Sequence, residues 1–328
     1  MNPTRRLLML ATLLPALPVL AAPEAAQIEL KPIQVSAHAY YFQGEAGMAS
    51  AANKGFMSNA GFVVTREGVV VYDALATPAL GQAMLRAIRK VTAAPVKMVI
   101  VGHYHADHIY GLQALRRPGV VIAAHRNGRE YLASDAARER LAQRRAELAP
   151  WVDARTELVA ATRWLDFNDG QPWQFELGGL HFRVIDSSGA HSPEDLLLLV
   201  EEDKVLFAGD LFFSGRLPYV GNANSKRWLQ ALERMLDAQP SIVIPGHGPA
   251  SRQPREDMLL TQRYLRHLRE QMGNAVQELL PFDEAYARTD WSAFKDYPAF
   301  SQANRLNAYG TYLLMEQESL ESGKESKE

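Results

Sequence analysis

The chain has 328 residues, enough to bury one large α/β core or one domain with a small appendage. Its formal net charge of −2 provides no bulk attraction to nucleic acid or to an anionic membrane surface, so neither is expected as a partner. Because the sequence contains no cysteine, disulfides and thiolate metal ligands are both excluded.

The N-terminal segment has the pattern of an export signal. Arg5 and Arg6 precede a short apolar run that ends with the small residues Ala21 and Ala22. We therefore expect residues 1–21 to be a cleaved signal peptide and the mature protein to be periplasmic, with no stable membrane insertion afterwards. A retained membrane anchor is the alternative, but the apolar run is short for a bilayer and contains two prolines.

Predicted strands and helices alternate along the rest of the chain. Residues 28–43 and 61–73 have the composition of strands. Thr77 followed by Pro78 is typical of a helix start, and apolar residues at helical spacing continue up to a strand at 96–101. The later predicted elements are a strand at 120–124, helical segments over 126–149, strands at 173–185, 196–200 and 204–208, a helix at about 226–237, a strand at 242–244 and helices from 254 onward.

The densest group of metal-binding residue types follows the predicted strand at 96–101. His103, His105 and His108 lie with Asp107 within six residues. Because the apolar strand ends just before them, these side chains should lie at its carboxyl end, where the binding sites of α/β folds gather. Neutral imidazole and carboxylate are ligands that zinc takes in proteins. The pattern therefore predicts a metal site rather than a merely solvated polar loop.

Three later segments place the same residue types near predicted strand ends, each close to a glycine. They contain His191, Asp210 and His247. Glycine allows the backbone to approach a crowded centre closely. Five of the nine histidines lie in these segments and the first group, far more than chance scatter would place there. We expect all of them to converge on one centre.

With these residues the chain resembles the metallo-β-lactamase-fold hydrolase superfamily over about residues 28–250. The resemblance depends on the His-x-His-x-Asp-His motif at 103–108 and its later partners. It implies an α/β protein with an αββα four-layer sandwich and a C-terminal helical extension. The domains implied are a signal peptide at 1–21, a hydrolase domain at 22–250 and a helical extension with a polar tail at 251–328.

The resemblance also implies roles for individual residues. Asp73, at the end of a predicted strand, would support the ligand loop, although a simple turn residue is the alternative reading. Manganese or iron stays open beside zinc, because His/Asp sites with a bridging carboxylate accept all three. The implied ligands are His103, His105 and His191 for one zinc ion, Asp107, His108 and His247 for a second zinc ion, and Asp210 as the bridge between the two.

The implied chemistry is hydrolysis by a hydroxide ion that two zinc ions generate from a shared water. Asp107 and Asp210 are the candidate catalytic residues, Asp107 because it could also pass a proton to the leaving group. No serine or cysteine nucleophile competes, since Gly-x-Ser-x-Gly and cysteine are both absent. A bridging aspartate is similar to that of hydroxyacylglutathione hydrolases and related esterases. We therefore predict cleavage of an ester, thioester or lactone-like bond in a small molecule.

Two other functions stay open. One is a β-lactamase, although superfamily β-lactamases with a cysteine ligand carry it where this chain has Asp210, and those with only His and Asp ligands lack the bridge. The other is a non-catalytic metal-binding accessory protein that uses an inherited fold. The stretch at 297–316 resembles exported zinc hydrolases associated with quinoprotein dehydrogenases or sulfur oxidation. A periplasmic dehydrogenase system is therefore a candidate partner.

Aromatic residues near the predicted ligands are candidates for the substrate pocket. They are Tyr104, Phe212 and Tyr219, although aromatics at such spacing are more often part of a core than of a pocket. Arg216 and Lys226 could contact an anionic substrate, but single surface cations seldom bind specifically.

Overall fold

The computed structural model describes residues 28–325, so the predicted signal peptide at 1–21 lies outside the described part of the chain. Two β-sheets of seven and five strands stack face to face, and helices cover the outer side of each. The predicted αββα sandwich with a C-terminal helical region is confirmed. The domain limits at 22–250 and 251–328 stay a prediction.

The first sheet changes from antiparallel to parallel pairing at its fourth strand. Each parallel pair from the fourth strand onward requires a crossover connection, and these connections contain the first helices of the chain. The strands, in spatial and chain order, are β1 (Ile33–Gln34), β2 (Ala39–Phe42), β3 (Ala60–Val64), β4 (Val69–Tyr72), β5 (Val96–Ile100), β6 (Val121–His125) and β7 (Arg163–Leu165).

The second sheet is antiparallel except for its last pair, which is parallel. The last strand of the chain forms one edge of this sheet. It follows a helix and pairs with the strand that precedes that helix. The strands are β8 (Trp173–Leu177), β9 (Leu180–Asp186), β10 (Leu196–Val200), β11 (Val205–Phe213) and β12 (Ile242–His247), in the spatial order β12-β11-β10-β9-β8.

Helices form the two outer layers. Thr77 caps the first helix because its side chain accepts a hydrogen bond from the Leu80 N–H at 3.1 Å, with proline at the first position. The helices are α1 (Pro78–Val91), α2 (Ala106–Ile109), α3 (Leu112–Leu115), α4 (Gly128–Ala133), α5 (Asp135–Glu147), α6 (Ser225–Asp237), α7 (Pro254–Gln277), α8 (Phe282–Arg288) and α9 (Phe300–Glu325).

Three apolar cores separate the four layers. All residues of β4 are buried, with Val69 and Val71 packed under the first helical layer and Val70 and Tyr72 between the sheets. This alternation follows the two-residue period of a strand that is covered on both faces. Tyr72 also joins the sheets, because its ring stacks on Phe207 at 5.4 Å and its hydroxyl donates to a backbone oxygen of β10 at 2.7 Å.

The structure differs from the prediction in four places. The strand predicted for 28–43 is only β1 and β2, because the chain turns between them where Asp203 accepts hydrogen bonds from Ser36 and His38. The strand β7 was not predicted, since three residues give no periodic signal. The strand predicted to end at residue 208 continues through Asp210 as β11. The tail predicted to be merely polar is helical up to Glu325.

Among residues 28–325, no helix combines the length and hydropathy needed to cross a bilayer.

Candidate metal centre

Four of the predicted ligands lie on the turn from β5 into α2. His103 and His105 are two residues apart, His105 has extended backbone, and their rings lie on the same side, 4.6 Å apart between centroids. Asp107 and His108 follow in α2, where one short turn brings them back to the same place. The local sequence therefore brings together these four side chains as predicted.

His191 reaches the centre from the loop after β9. Asp195 fixes that loop, because its carboxylate accepts from the backbone N–H and the hydroxyl of Ser192, each at 2.7 Å. Trp228 of α6 contacts the ring of His191 edge-on, with centroids 5.1 Å apart. The imidazole is therefore held on one side by the loop and on the other by the second helical layer.

Asp210 lies inside β11 rather than beyond its end. Gly209 has φ +51°, and the register against β12 shifts there, which turns the Asp210 side chain toward the first sheet. Gly246 leaves the necessary space, because a Cβ there would lie 2.0 Å from Asp210 Oδ1. His247 ends β12, and Asn59, directly before β3, donates to the carbonyls of Pro245 and Gly248, each at 2.8 Å. These contacts align the two sheets at the centre.

The first group of ligand atoms surrounds one oxygen of Asp210. His191 Nε2 lies 3.0 Å from His105 Nδ1 and 3.5 Å from Asp210 Oδ2, and His103 Nε2 lies 3.9 Å from the same oxygen. One ligand atom from each of these four residues lies within 4.8 Å of all the others. This is the set that the sequence predicts for the first ion, together with the bridge.

The second group surrounds the other oxygen of Asp210. His108 Nε2 lies 3.2 Å and His247 Nε2 3.3 Å from Asp210 Oδ1. His247 Nε2 is also 3.3 Å from Asp107 Oδ2, and the ligand atoms of Asp107, His108 and His247 lie within 4.8 Å of one another. The Asp210 carboxylate therefore divides its two oxygens between the two groups.

The ligand atoms fit divalent cations. His103 Nε2, His108 Nε2 and Asp210 Oδ1 are buried and have no hydrogen-bond partner among the described residues. Buried polar atoms normally have a partner, so three such atoms converging on one place indicate a bound cation. Imidazole and carboxylate without thiolate suit zinc, manganese or iron. The roles of the seven residues as ligands, and the number and identity of the ions, stay predictions.

Burial favours the neutral form of the imidazoles in the first group. It lowers the pKa of His191 to about 3 and that of His103 well below the ordinary value, and it also lowers the pKa of His105. A neutral imidazole has a free lone pair, which is what a metal ion requires of it. These three side chains are thus ready to bind a cation without first losing a proton.

Carboxylates dominate the second group. Although burial opposes the change, Asp210 and Asp107 raise the pKa of His247 to about 9 and that of His108 well above its ordinary value. In return, these imidazoles hold the pKa of both carboxyl groups well below the usual range despite their burial. This half of the centre therefore requires positive charge, which protons or a metal ion can supply.

Backbone and carboxylate oxygens fix the outer nitrogens of the second group. Asp73 Oδ2 lies 2.8 Å from His108 Nδ1, and His247 Nδ1 donates to the Met57 carbonyl at 2.8 Å. Phe213 stacks on the His247 ring at 5.0 Å between centroids and 6° between planes. Each ring is thereby oriented with Nε2 toward the centre. This placement is compatible with the support by Asp73 that the resemblance implies, and that role stays a prediction.

Two of the three predicted pocket residues are wrong. Tyr104, between two ligand histidines on the segment after β5, is fully buried and packs against Trp164. Phe212 is fully buried in the core under the second helical layer. Tyr219 is exposed on the loop after β11. Sequence reasoning missed Phe213 and Met57 as residues that hold the ligands.

A cavity of about 550 Å³ lies beside the second group. It is bounded by the segment before β3, the loops after β11 and β12, and the C-terminal region. Met57 and Ser214 line it and both hydrogen-bond to His247, through its ring and its carbonyl respectively. A substrate in this cavity would therefore lie next to the predicted ligands.

The family model of the metallo-beta-lactamase superfamily matches residues 53–247, more than half of the chain. A metallo-beta-lactamase of Chryseobacterium indologenes is 24% identical over 222 residues, which cover 66% of this chain and 80% of that protein. A metallo-beta-lactamase type 2 of Bacillus sp. (strain 170) is 25% identical over 213 residues, covering 63% of this chain and 70% of that protein.

Solved structures share the fold at lower identity. A stereoselective inverting sec-alkylsulfatase from Pseudomonas sp. has a TM-score of 0.67 at 16% identity, and the match covers 86% of this chain but only 50% of that chain. The metallo-beta-lactamase FIM-1 from Pseudomonas aeruginosa has a TM-score of 0.54 at 19% identity, covering 75% of this chain and 98% of that chain. At these identities the likeness shows the fold alone.

Proposed function

Since this chain belongs to the metallo-beta-lactamase superfamily of hydrolases, we propose that it cleaves an ester, thioester or lactone-like bond in a small molecule with two divalent metal ions, zinc being the first candidate. The observation that carries the proposal is the position of Asp210. Its two carboxylate oxygens face separate sets of imidazoles, at 3.5 Å from His191 and at 3.2 Å from His108. A carboxylate placed in this way suits a bridge between two cations.

The chain would supply the cage and a proton carrier. His103, His105 and His191 would hold one ion, Asp107, His108 and His247 would hold the other, and Asp210 would be shared by both. Two bound divalent ions lower the pKa of a shared water toward neutrality and polarise the scissile bond. The Asp107 side chain is 14% exposed against 6% for Asp210, so it is the carboxylate better placed to pass a proton to a leaving group in the cavity.

β-Lactam hydrolysis is a second candidate, supported by the relatives named metallo-beta-lactamases that match about two thirds of this chain. The position of Asp210 favours the first candidate, because a bridging carboxylate reduces the positive charge that each ion presents to a substrate. The third candidate, a non-catalytic metal-binding protein, would retain the cage without turnover.

The decisive experiment combines metal analysis with a substrate panel. Purified protein is stripped with chelator, reloaded with zinc, manganese or iron, and assayed on thioesters, lactones, aryl esters, a secondary alkyl sulfate and nitrocefin. We expect two metal ions per chain and turnover of an ester, thioester or lactone that chelator abolishes. Turnover of nitrocefin alone would favour the second candidate. Full metal content with no turnover on any substrate would contradict both hydrolase proposals.

Asp210→Ala tests the bridge. We expect fewer than two ions per chain and no hydrolysis, because both groups lose their shared ligand. Asp237→Asn, at the exposed end of α6, is the matched control for loss of one carboxylate. It should retain both the full metal content and the hydrolytic activity. A D210A protein with unchanged metal content would contradict the bridging role.

We also propose export to the periplasm, supported by the basic and apolar pattern of residues 1–21. A periplasmic dehydrogenase system is the candidate partner there. N-terminal sequencing of the protein from the cell envelope should find a start after Ala21 or Ala22, and a start at Met1 would contradict cleavage.

A further inference from the structure

The cavity beside His247 contains one cationic side chain among its lining residues, that of Arg216. Arg216 follows β11 by three residues, and Ser214, at the start of the same loop, donates its N–H to the His247 carbonyl at 3.0 Å. Glu45 is the one carboxylate that lines the cavity, and it is exposed. The cavity therefore has a basic group on the loop whose first residue hydrogen-bonds to His247.

Arg216 has no hydrogen-bond or ion-pair partner among residues 28–325. Its Nε is buried without a hydrogen-bond partner, and no ion pair joins its guanidinium to a carboxylate in the described part of the chain. Burial lowers the pKa of Arg216, and the charges of Asp210 and Asp107 act against that change, so the guanidinium is within electrostatic reach of both ligands. A half-buried guanidinium without a partner is costly unless another group completes its hydrogen bonds.

We propose that Arg216 binds an oxyanion on the substrate, a carboxylate, sulfate or phosphate group close to the scissile bond. The proposal deepens the hydrolase function above and depends on it for the identity of the reaction, but not for the binding itself. A guanidinium presents parallel N–H donors that match two oxygens of such a group. The Arg216 side chain is thereby a specificity determinant for anionic substrates.

The C-terminal region holds this arginine in place. The Pro298 carbonyl accepts from the Leu217 N–H at 3.1 Å. Asn307 of α9 is fully buried, accepts from the Val220 N–H at 2.7 Å and donates to the Pro218 carbonyl at 2.8 Å. These bonds fix the segment directly after Arg216. Asn307 is therefore a positioning residue for the loop after β11 that contains Arg216, which we call the arginine loop.

Lys226 provides the matched control. It is exposed on α6 and lines a different cavity, between α6, α7 and α9. Arg216→Gln and Lys226→Gln each remove one positive charge, and Arg216→Lys retains the charge without the paired donors. All variants should be loaded with the same metal and checked for equal metal content.

Two measurements test the proposal. The first compares KM and kcat for two aryl esters that differ only by a carboxylate on the acyl group. The second is calorimetric titration with sulfate, phosphate and succinate, which requires no turnover and distinguishes the three oxyanions. We expect R216Q to raise KM for the anionic ester and Kd for the preferred oxyanion by about 10- to 100-fold, the range of a lost charge-assisted hydrogen bond. The KM for the neutral ester should change less than about twofold.

R216K should lie between R216Q and the unsubstituted protein, and K226Q should match the unsubstituted protein. Equal loss on both esters, or oxyanion binding that R216Q leaves unchanged, would overturn the proposal. If the protein hydrolyses neither ester, the hydrolase function is in question, but the titration still decides whether Arg216 binds an oxyanion.

Discussion

Asp73 and His108 form a buried pair in which the carboxylate oxygen Oδ2 lies 2.8 Å from the ring nitrogen Nδ1. The other oxygen of Asp73 accepts from the Gly102 N–H at 2.7 Å. The Asp73 side chain thus fixes both the start of the turn from β5 into α2, which we call the ligand turn, and the His108 ring that follows it. A proton on His108 Nδ1 leaves Nε2 free to face Asp210, which is the orientation a metal ligand needs.

Asp73→Asn should weaken metal binding by about 10- to 100-fold, the range found when outer partners of metal ligands are removed. Asparagine tolerates the positive φ of 60° at this position, so the backbone is retained. Its amide offers one oxygen in place of two, so an N–H group must face either Gly102 or His108. Competition with a chromophoric chelator measures the affinity.

Asp203→Asn is the control for this prediction. Asp203 also pairs with a histidine, His38, at 2.9 Å, but on the loop between β10 and β11, away from the ligand turn. D203N should leave metal affinity unchanged. Equal affinity of D73N and the unsubstituted protein would show that Asp73 does not orient the ligand ring.

The sequence predicts the centre well where its residues are close together along the chain. The group at 103–108 follows a strand directly, so its placement needs only local structure. Tyr104 is the exception within that group. It lies between two histidines that both face the centre, so an alternation with a period of two could have predicted its burial on the other side.

The cavity could not be predicted in the same way. Its walls come from segments around Met57, Arg216, Gly248 and Pro298, which are far apart in the sequence and meet only through tertiary packing. Phe213 stacks on His247 because β11 continues past Asp210 after an irregular register, and no periodic pattern marks that continuation. Local propensity contains no information about such long-range packing.

Gly246→Ala should disturb the bridge although it replaces none of the predicted ligands. The added Cβ would lie 2.0 Å from Asp210 Oδ1 and 2.7 Å from the Gly209 carbonyl carbon, so the backbone or the carboxylate must move. We expect a loss of stability of about 1–3 kcal/mol, typical of overpacking, and reduced metal content. Thermal unfolding and elemental analysis measure the two effects.

Gly273→Ala tests whether any added methyl group has this effect. Gly273 lies in the interior of α7. The nearest atom to a Cβ added there is the flexible end of the Met315 side chain, at 3.2 Å. G273A should be neutral or stabilising by up to about 1 kcal/mol, because alanine favours helix. Normal metal content in G246A would mean that Asp210 needs no support from the glycine behind it.

Asn307→Ala should destabilise the fold and loosen the arginine loop. The substitution leaves the Val220 N–H and the Pro218 carbonyl without their partner, and it also removes a hydrogen bond to the Tyr264 hydroxyl at 3.1 Å. We expect a cost of about 2–4 kcal/mol in urea unfolding, because buried polar groups lose their partners.

In the same variant, KM for an anionic ester should rise more than KM for a neutral one. Gln317→Ala, on the exposed side of α9, should change neither stability nor KM. An N307A protein that is less stable yet retains the same preference for the anionic ester would limit Asn307 to a purely structural role.

Glu194 should make the stability of the protein depend on pH. Its carboxyl group is buried, accepts from the Tyr104 N–H at 3.1 Å and has a second oxygen, Oε2, without a partner in the described part of the chain. Burial raises the pKa of Glu194 from 4.5 to about 7. Between those values the folded protein binds the proton that the unfolded chain releases. This contribution to stability is therefore complete below the unfolded pKa and is lost as the pH rises through about 7.

The loss amounts to about 3 kcal/mol from the linkage of a proton to folding, and Glu194→Gln should remove it. The free energy of urea unfolding of E194Q minus that of the unsubstituted protein should therefore rise between pH 5 and pH 8. Taking the difference at equal metal content cancels the titration of the ligand histidines, which both proteins share. A difference that stays constant over this range would show that Glu194 ionises normally in the folded protein, with its charge satisfied by the backbone of the ligand turn.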